Sequence, residues 1–223
     1  MRALGPCARG CELEYLVCEL RSPGTGTPMV WQAPGMVGCV DEREDVELAE
    51  LAALLRERNA LDARLGRLLD RPASTGHIGE WIAARVFHIA LESAANAAGY
   101  DGHFTSGRLT GRTVNVKTYG KREGLLDMKS MAPLDYYLVF TGPRAAAASS
   151  RGTLRPFCID AVYLFDAHRL RGELGERGVK FSEATSVRAV HWDEAEIYPR
   201  PNNSLLIVSE AQRRQLAMFV GGD

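Results

Sequence analysis

A change of hydrophobic period in the middle of the chain limits its fold more than any other feature. In residues 112–120 (RTVNVKTYG), Val114 and Val116 alternate with the polar residues Asn115 and Lys117, which is typical of a strand with one buried face. The preceding segment YDGHFTS and a turn at GRLTG predict that this strand belongs to a β-hairpin. The more apolar run DYYLVFTG, which follows a polar loop, is typical of a central strand. The middle of the chain is therefore predicted to form a sheet.

Two helices are predicted before these strands. Leucines recur at three- and four-residue steps over residues 48–69, which predicts a first, amphipathic helix. A second helix is predicted over residues 76–98, because Ser74 or Thr75 can cap its beginning and Gly99 can end it.

Further elements are predicted after the central strand. The segment PFCIDAVYLFDA predicts another strand, and HRLRGELGERG predicts a helix. Ser209 begins a last predicted helix, in which Gln212 completes a capping box. This order of elements favours an α/β fold with a mixed β-sheet flanked by helices and preceded by an N-terminal helical arm.

Composition divides the chain into three parts. Residues 1–40 contain runs such as GPCARGC and SPGTGTP without a sustained period, which predicts a disordered N-terminal extension with few core contacts. Deleting this extension is expected to leave the melting temperature almost unchanged. Residues 41–71 are the predicted helical arm, and residues 72–223 are the predicted α/β domain. The leucine stripe of the arm either packs on its own domain or pairs with a partner or a second copy of the chain.

Charge and cysteine usage argue against several classes of protein. With 27 Lys and Arg against 28 Asp and Glu, the chain lacks the general basic charge of a non-specific nucleic-acid binder. No stretch approaches the roughly 18 apolar residues that span a bilayer, and no secretory signal is visible, so a cytoplasmic protein without membrane contact is expected. The cysteines lack the paired spacings of a zinc site and are interpreted as free thiols. They are Cys7, Cys11, Cys18, Cys39 and Cys158.

Polar residues around the predicted hairpin converge on one edge of the sheet. Asn115 and Lys117 are two apart in a strand and share a face. Asp101 begins the preceding strand, and Glu80 lies on the helix before it. Oxygen ligands of this kind hold Mg²⁺ while phosphate and water fill its remaining positions, and a lysine beside the metal can orient water and neutralise developing charge. The combination indicates a magnesium-dependent phosphodiesterase.

The arrangement resembles the PD-(D/E)XK, or restriction-endonuclease-like, nuclease superfamily. In that superfamily a helix carries a glutamate, a strand starts with an aspartate, and the next strand carries acid-x-lysine. The resemblance covers roughly residues 74–175. The matching residues are Glu80 in HIGEWIA, Asp101 in GYDG, and Asn115, Val116 and Lys117 in VNVK. More closely, TVNVKTYGKREGLLD and EIYPRPNN are similar to an uncharacterised bacterial family placed in this fold.

The resemblance implies a nuclease that cleaves DNA with Mg²⁺ or Mn²⁺, in defence or repair. In this expectation Asp101 and Glu80 bind the metal, Asn115 is an auxiliary ligand, and Lys117 acts on the water and the phosphate. Asn115 departs from the pattern, because it stands where the superfamily has an acid and its amide oxygen is a weaker ligand for a hard cation. Glu80 or Glu123 could supply the missing charge. The alternative is a catalytically inactive nuclease-fold module that binds nucleic acid or a protein partner.

The turn after the hairpin is predicted to contact nucleic acid. Residues 101–130 are more basic than the chain as a whole. Tyr119, Lys121 and Arg122 directly follow the proposed lysine, where they are well placed to meet phosphates. The alternative for each of them is a solvated polar loop. DNA is accordingly the expected partner, and a second copy of the chain is the expected partner of the helical arm.

Overall fold

The structure is a computed structural model. It describes residues 42–92, 99–129, 133–144 and 156–221. The predicted N-terminal extension, residues 1–40, lies outside the described residues. The chain divides into two compact units, of which the first ends at Asn59 and the second comprises Ala60–Asp223.

Helix α1 begins at Glu42 and ends at Leu69, which confirms the helix predicted from the leucine spacing. In the first unit the described residues belong to this helix, and large apolar side chains on them are exposed to solvent. These side chains are Val46, Leu48, Leu51, Leu54 and Leu55. Among the residues that the structure describes, no helix, α1 included, combines the length and the apolar character needed to cross a membrane.

The strands all belong to the second unit. They are β1 (Ile89–Leu91), β2 (Gly102–Phe104), β3 (Thr113–Tyr119), β4 (Leu125–Leu126), β5 (Tyr136–Thr141), β6 (Ala161–Asp166), β7 (Thr185–Ser186) and β8 (Glu196–Tyr198). In the described part of the chain, six of them form one sheet in the order β1-β2-β3-β5-β6-β8, and β4 pairs with β7. Strands β3 and β5 run parallel, and the other pairs are antiparallel. The predicted α/β class with a mixed sheet is therefore confirmed.

Helices flank this sheet. They are α2 (Thr75–Val86), α3 (Ala167–Glu176), α4 (Ala189–Ala195) and α5 (Glu210–Ala217), with a short 3-10 turn at Gly107–Leu109. Ser74 caps α2 by accepting the His77 N–H, and Ser209 and Gln212 form the predicted capping box of α5. The predicted hairpin is β2 with β3, and the predicted central strand is β5, which has neighbours on both sides.

The helix predicted over residues 76–98 is shorter than expected. It ends at Val86, and after a turn at His88 the chain forms β1. His88 has a φ of 53°, in the left-handed region that an L residue does not adopt within a helix. Ile89, which continues the apolar stripe of the predicted helix, is instead buried in β1. Strand pairing therefore prevails over the helical spacing, and residues 93–98 lie outside the described residues.

The sheet is covered on both faces, and the alternation of β3 decides what lies on each. Val114 and Val116 are buried in a core that includes Ile82 of α2 and Leu216 of α5. A second core, around Trp192, joins β5 and β6 to α3 and α4. Because successive side chains of a strand point to opposite faces, Asn115 and Lys117 point away from α2.

Candidate functional site

Asp101 directly precedes strand β2, and strand β3 lies beside it. Its backbone N–H donates to the Val114 carbonyl at 2.9 Å, and its own carbonyl accepts the Glu92 N–H at 2.9 Å. These two bonds fix the residue between neighbouring segments of the sheet. Its carboxylate Oδ2 accepts the Val116 N–H at 2.7 Å. The carboxylate therefore accepts a backbone N–H of β3 that a neighbouring strand would otherwise pair with.

Asn115 brings a second oxygen-bearing group beside Asp101. Its Nδ2 donates at 3.4 Å to Asp101 Oδ1 and at 3.4 Å to the Gly99 carbonyl, both near the long limit of a hydrogen bond. Its Oδ1 is buried and has no hydrogen-bond partner among the described residues. A buried acceptor without a partner costs about 1–3 kcal/mol. In a polar cleft such an oxygen indicates a place for a donor or a cation.

Lys117 shares the face of Asn115, as the alternation predicts. Its ammonium Nζ lies 2.8 Å from Asp127 Oδ2, and the two side chains are 23% and 33% exposed. The pair is therefore partly shielded from water. Water and salt screen such a pair less than they screen a fully exposed one. Asp127 follows β4 and is not among the residues predicted from the sequence.

Tyr119, which the sequence predicts as a nucleic-acid contact, holds the segment that carries Asp127. Its hydroxyl oxygen accepts the Asp127 N–H at 2.9 Å. Burial raises the pKa of Tyr119 to about 12 despite this hydrogen bond, so the phenol stays protonated at neutral pH. Tyr119 thus connects the end of β3 to the loop after β4.

Glu80 approaches the same edge from helix α2. Its carboxylate forms an ion pair with Arg71, and the Glu80 side chain is 16% exposed against 38% for Arg71. Arg71 lies just before the helix and is a second residue that the sequence does not predict. The negative charge of Glu80 is therefore largely offset before any ligand binds.

The pKa of Asp101 reflects the charges that surround it. Burial raises the pKa of this carboxyl, the hydrogen bond from the Val116 N–H lowers it, and the carboxylate of Glu80 raises it. The cations of Lys117 and Arg71 lower it again, but the pKa stays above its ordinary value. The structure therefore places Asp101 and Asn115 in contact, with Glu80 and Lys117 close enough for their charges to act on Asp101.

A cavity of about 400 Å³ opens over this face of β3. Its lining includes Asn115, Lys117 and Asp127, together with Lys129 and Glu183, which form an exposed ion pair at 2.7 Å. A volume of this order is within the range of small-ligand clefts, about 300–1,000 Å³. The cavity therefore leaves the lysine and the amide accessible to a small ligand.

The residues at this edge suit a magnesium ion. In the described ranges no three His, Cys, Asp or Glu side chains come together as a metal-binding group. Mg²⁺ keeps several waters, however, and is held in proteins by one or two carboxylates together with substrate phosphate. Asp101 and Glu80 offer two carboxylates, and the buried Asn115 Oδ1 offers a third oxygen. Carboxylate and amide oxygens are the kind of ligand that Mg²⁺ and Mn²⁺ take in proteins.

The cations of the turn after β3 lie inside the protein, which corrects an expectation from the sequence. Lys121 is 9% exposed and Arg122 is 6% exposed. The Lys121 ammonium pairs with Glu123 at 2.6 Å. Phosphate contact needs a cation that reaches the surface, so neither buried side chain is placed for it. Glu123, expected as an alternative source of charge for the metal, is instead the partner of Lys121.

Arg122 occupies a structural position. Its guanidinium lies 5.4 Å from the ring centroids of Tyr163 and of Trp192, and it pairs with Asp193 at 3.3 Å. Desolvated cation–π contacts contribute about 2 kcal/mol. The turn after β3 is therefore anchored against β6 and α4.

Two residues of the site escape prediction from the sequence. Asp127 is a single acid ten positions after Lys117, at the end of the quoted segment TVNVKTYGKREGLLD. Its place between Leu126 and Met128, apolar residues that are buried, gives no indication that it contacts Lys117. Arg71 lies beside Pro72, after the periodic leucines end, so no pattern indicates what its side chain contacts.

No protein-family model matches the chain, and no curated protein is similar to it in sequence. Its function is therefore inferred from the residues and the geometry of this site.

Proposed function

We propose that the protein is a cytoplasmic nuclease of the restriction-endonuclease-like kind that hydrolyses DNA phosphodiester bonds with Mg²⁺ or Mn²⁺, in defence or repair. One observation supports this function best. Asp101 and Asn115, with its unpartnered Oδ1, are in contact at one edge of the sheet, and the charge of Lys117 acts on Asp101 there. Metal-dependent hydrolysis of a phosphodiester requires oxygen ligands and a cation near the scissile phosphate, and these residues supply both.

Asp101 and Glu80 would hold the metal, with Asn115 as an auxiliary ligand. When bound, the metal lowers the pKa of its water and offsets negative charge on the phosphate. Burial raises the pKa of Asp101, so its negative charge is costly in the free protein and a divalent cation is favoured beside it. Arg71 holds the Glu80 carboxylate in the free protein, and Glu80 would exchange this partner for the metal.

Lys117 contributes the positive charge at the phosphate. Its ammonium has three N–H donors, of which one is directed to Asp127. The other donors are available for a water molecule and a phosphate oxygen. Negative charge grows on the phosphate oxygens in the transition state, and an ammonium that is already in place stabilises it.

A specific observation favours the alternative, a catalytically inactive nuclease-fold module that binds nucleic acid or a protein partner. Asn115 is neutral where the superfamily has an acid, and both Glu80 and Lys117 are already engaged in ion pairs. Such a site holds less net negative charge for a metal. The alternative is therefore tested alongside catalysis.

A homodimer through α1 is part of the proposal. The exposed apolar side chains of the first unit, from Val46 to Leu55, are 44–66% exposed, and apolar surface of this density commonly marks a protein contact. The full chain is expected to sediment as a dimer, and the double variant Leu51→Glu, Leu54→Glu as a monomer. A wild-type monomer would rule this contact out.

Cleavage of labelled single- and double-stranded DNA in Mg²⁺ and in Mn²⁺ tests the catalytic proposal. Wild type is expected to cut or nick, and Lys117→Ala is expected to reduce the rate about 100-fold or more, the loss typical of removing one charge-stabilising donor. Asn115→Asp adds a carboxylate, so metal affinity and cleavage are expected to rise. Val114 and Val116 carry the packing of β3, so Lys117→Ala is expected to stay folded.

Lys180→Ala is the matched control, because Lys180 is an exposed lysine of the same domain that does not line the cavity. Its rate should equal that of wild type. The binding-module alternative prevails if wild type and Asn115→Asp both leave DNA and RNA intact in either metal while DNA or a protein partner still binds. Equal loss in Lys180→Ala and Lys117→Ala would also contradict the catalytic role of Lys117.

A further inference from the structure

We infer that Asp127 is a positioning residue that fixes the Lys117 ammonium over the cavity, ready to meet the phosphate of a DNA substrate. The inference deepens the proposed function and rests on it. Asp127 ends the quoted segment TVNVKTYGKREGLLD, but the sequence predicts no role for it. Its importance follows from what surrounds it in the structure.

The contact itself is short and partly shielded. Asp127 Oδ2 accepts a hydrogen bond from Lys117 Nζ at 2.8 Å, and the two side chains are 33% and 23% exposed. Charge-assisted bonds of this length are among the stronger hydrogen bonds in proteins. A free lysine side chain samples many rotamers, and ordering it costs conformational entropy. Holding Lys117 in one orientation before the substrate arrives removes that cost from the reaction.

The carboxylate of Asp127 is itself held in place. The residues on either side of it, Leu126 and Met128, are 0% and 1% exposed, so the backbone here is anchored by burial. The Asp127 N–H donates to the Tyr119 hydroxyl at 2.9 Å, and the Met128 N–H donates to the Ser182 carbonyl at 2.9 Å. A carboxylate with such support can orient a flexible partner.

The small sheet of β4 and β7 gives this segment its place. Leu126 pairs with Thr185 in that sheet, and Thr185 is 1% exposed. The second oxygen of Asp127, Oδ1, accepts the Lys129 N–H at 3.2 Å. Each oxygen of the carboxylate thus has its own donor, and the orientation of the group is defined on both sides.

A second ion pair at the same cavity provides the contrast. Lys129 and Glu183 lie 2.7 Å apart, but their side chains are 71% and 73% exposed. Exposed pairs are screened by water and fix their side chains only weakly. Glu183 therefore serves as the matched control for the orientation of Lys117: it is a carboxylate that pairs with a lysine at the same cavity, without a buried segment to fix it.

The experiment compares Asp127→Asn and Asp127→Glu with Glu210→Gln in steady-state cleavage of DNA. Asp127→Asn keeps the shape and loses the charge, and it is expected to lower kcat about 10- to 100-fold, as misplacement of a reacting group does, while KM changes by less than about 2-fold. Asp127→Glu keeps the charge and is expected to recover part of kcat. Glu210 pairs with Arg214 on the surface and does not line the cavity, so Glu210→Gln should leave both constants unchanged. A wild-type kcat in Asp127→Asn would overturn the inference.

A readout that needs no catalysis separates this inference from the proposed function. The ammonium protons of an ion-paired, shielded lysine exchange slowly enough to be observed by nitrogen-15 NMR, and Lys117→Arg assigns the signal. We expect the signal in wild type and in Glu183→Gln, and its loss in Asp127→Asn. If wild type cleaves no DNA, the proposed function alone fails. A Lys117 signal that is unchanged in Asp127→Asn would overturn the positioning role whatever the activity.

Discussion

The groups around Asp101 act on its pKa in opposite directions. Burial raises the pKa of its carboxyl and the hydrogen bond from the Val116 N–H lowers it, while Glu80 raises it and the cations Lys117 and Arg71 lower it. The pKa remains above its ordinary value, so the ionised carboxylate destabilises the folded state at neutral pH. Destabilised groups of this kind concentrate at functional sites.

Replacing Asp101 with Asn is therefore expected to stabilise the protein at neutral pH. The amide oxygen can still accept the Val116 N–H. The new amide nitrogen replaces the oxygen that faces Asn115 Nδ2, so a rotation of the Asn115 amide by 180° lets that nitrogen donate to the unpartnered Asn115 Oδ1. A gain of about 1 kcal/mol, typical of relieving a functional compromise, corresponds to a rise in Tm of about 2–4 °C for a domain of this size. Thermal unfolding at pH 7.5 measures it.

The stability gained in Asp101→Asn is expected to depend on pH. Because the folded pKa of Asp101 lies above the unfolded one, the folded state binds more protons between the two values, and stability falls as pH rises through that window. The advantage of Asp101→Asn over wild type should therefore shrink as pH is lowered toward 3.8, the ordinary pKa of the group. A variant that is less stable than wild type at pH 7.5 would contradict this account of Asp101.

The sequence predicts some of these residues better than others. Asn115 and Lys117 follow from the alternation in β3, since a period of two fixes the face of each side chain. Asp127 meets Lys117 only because β4 and β7 pair, and two-residue strands leave no periodic signal. Lys121 lies in a polar segment that is typical of an exposed loop. It is nevertheless buried and paired with Glu123, which the sequence pattern does not indicate.

At the scale of elements, close packing of α2 on β3 places Glu80 near the site. Gly79, the residue before Glu80, is buried and allows this approach. An ideal Cβ on Gly79 would overlap Thr118 Oγ1 and lie 3.1 Å from Thr118 Cβ. Any side chain there therefore requires the helix to move away from the strand.

Gly79→Ala is expected to destabilise the protein by about 1–3 kcal/mol, the usual cost of forcing extra atoms into a packed interface. Gly76 is the matched control, because a Cβ on this glycine of the same helix meets nothing within 4 Å. Gly76→Ala should be neutral or stabilising by up to about 1 kcal/mol. Denaturant unfolding of both variants measures the difference.

Thr118→Ala in the Gly79→Ala background should recover part of the lost stability, because it removes the nearest atom. Equal effects of alanine at positions 76 and 79 would show that the approach of α2 to β3 does not depend on Gly79. Cleavage by Gly79→Ala should also fall if α2 moves, since Glu80 moves with it.

The elements themselves are partly predictable for physical reasons. The hairpin of β2 and β3, the strand β5 and the cap of α2 depend on local chemistry, namely alternation, turn residues and Ser74. The end of α2 depends on tertiary structure. Ile89 fits a helical stripe as well as a strand, and its pairing with Phe104, a residue fifteen positions later, decides the outcome.

At the scale of the second unit, the two faces of strand β3 have different roles. One face of β3 joins the core beneath α2 and α5, and the other presents Asn115 and Lys117 to the cavity. The buried cation Arg122 fastens the turn that follows β3. A rigid strand thus holds the site, and polar substitutions on its open face leave the core intact.

Anomalous diffraction from crystals soaked in Mn²⁺ tests the central claim most directly, because it locates the metal without relying on turnover. The account predicts one strong peak within coordination distance, about 2–2.5 Å, of an Asp101 carboxylate oxygen and of Asn115 Oδ1, with Glu80 released from Arg71 toward it. It also predicts that this peak disappears in crystals of Asp101→Asn. Absence of a peak at Asp101 in fully soaked wild-type crystals, or a peak bound only by residues elsewhere, would contradict a metal-dependent phosphodiester site at this edge of the sheet.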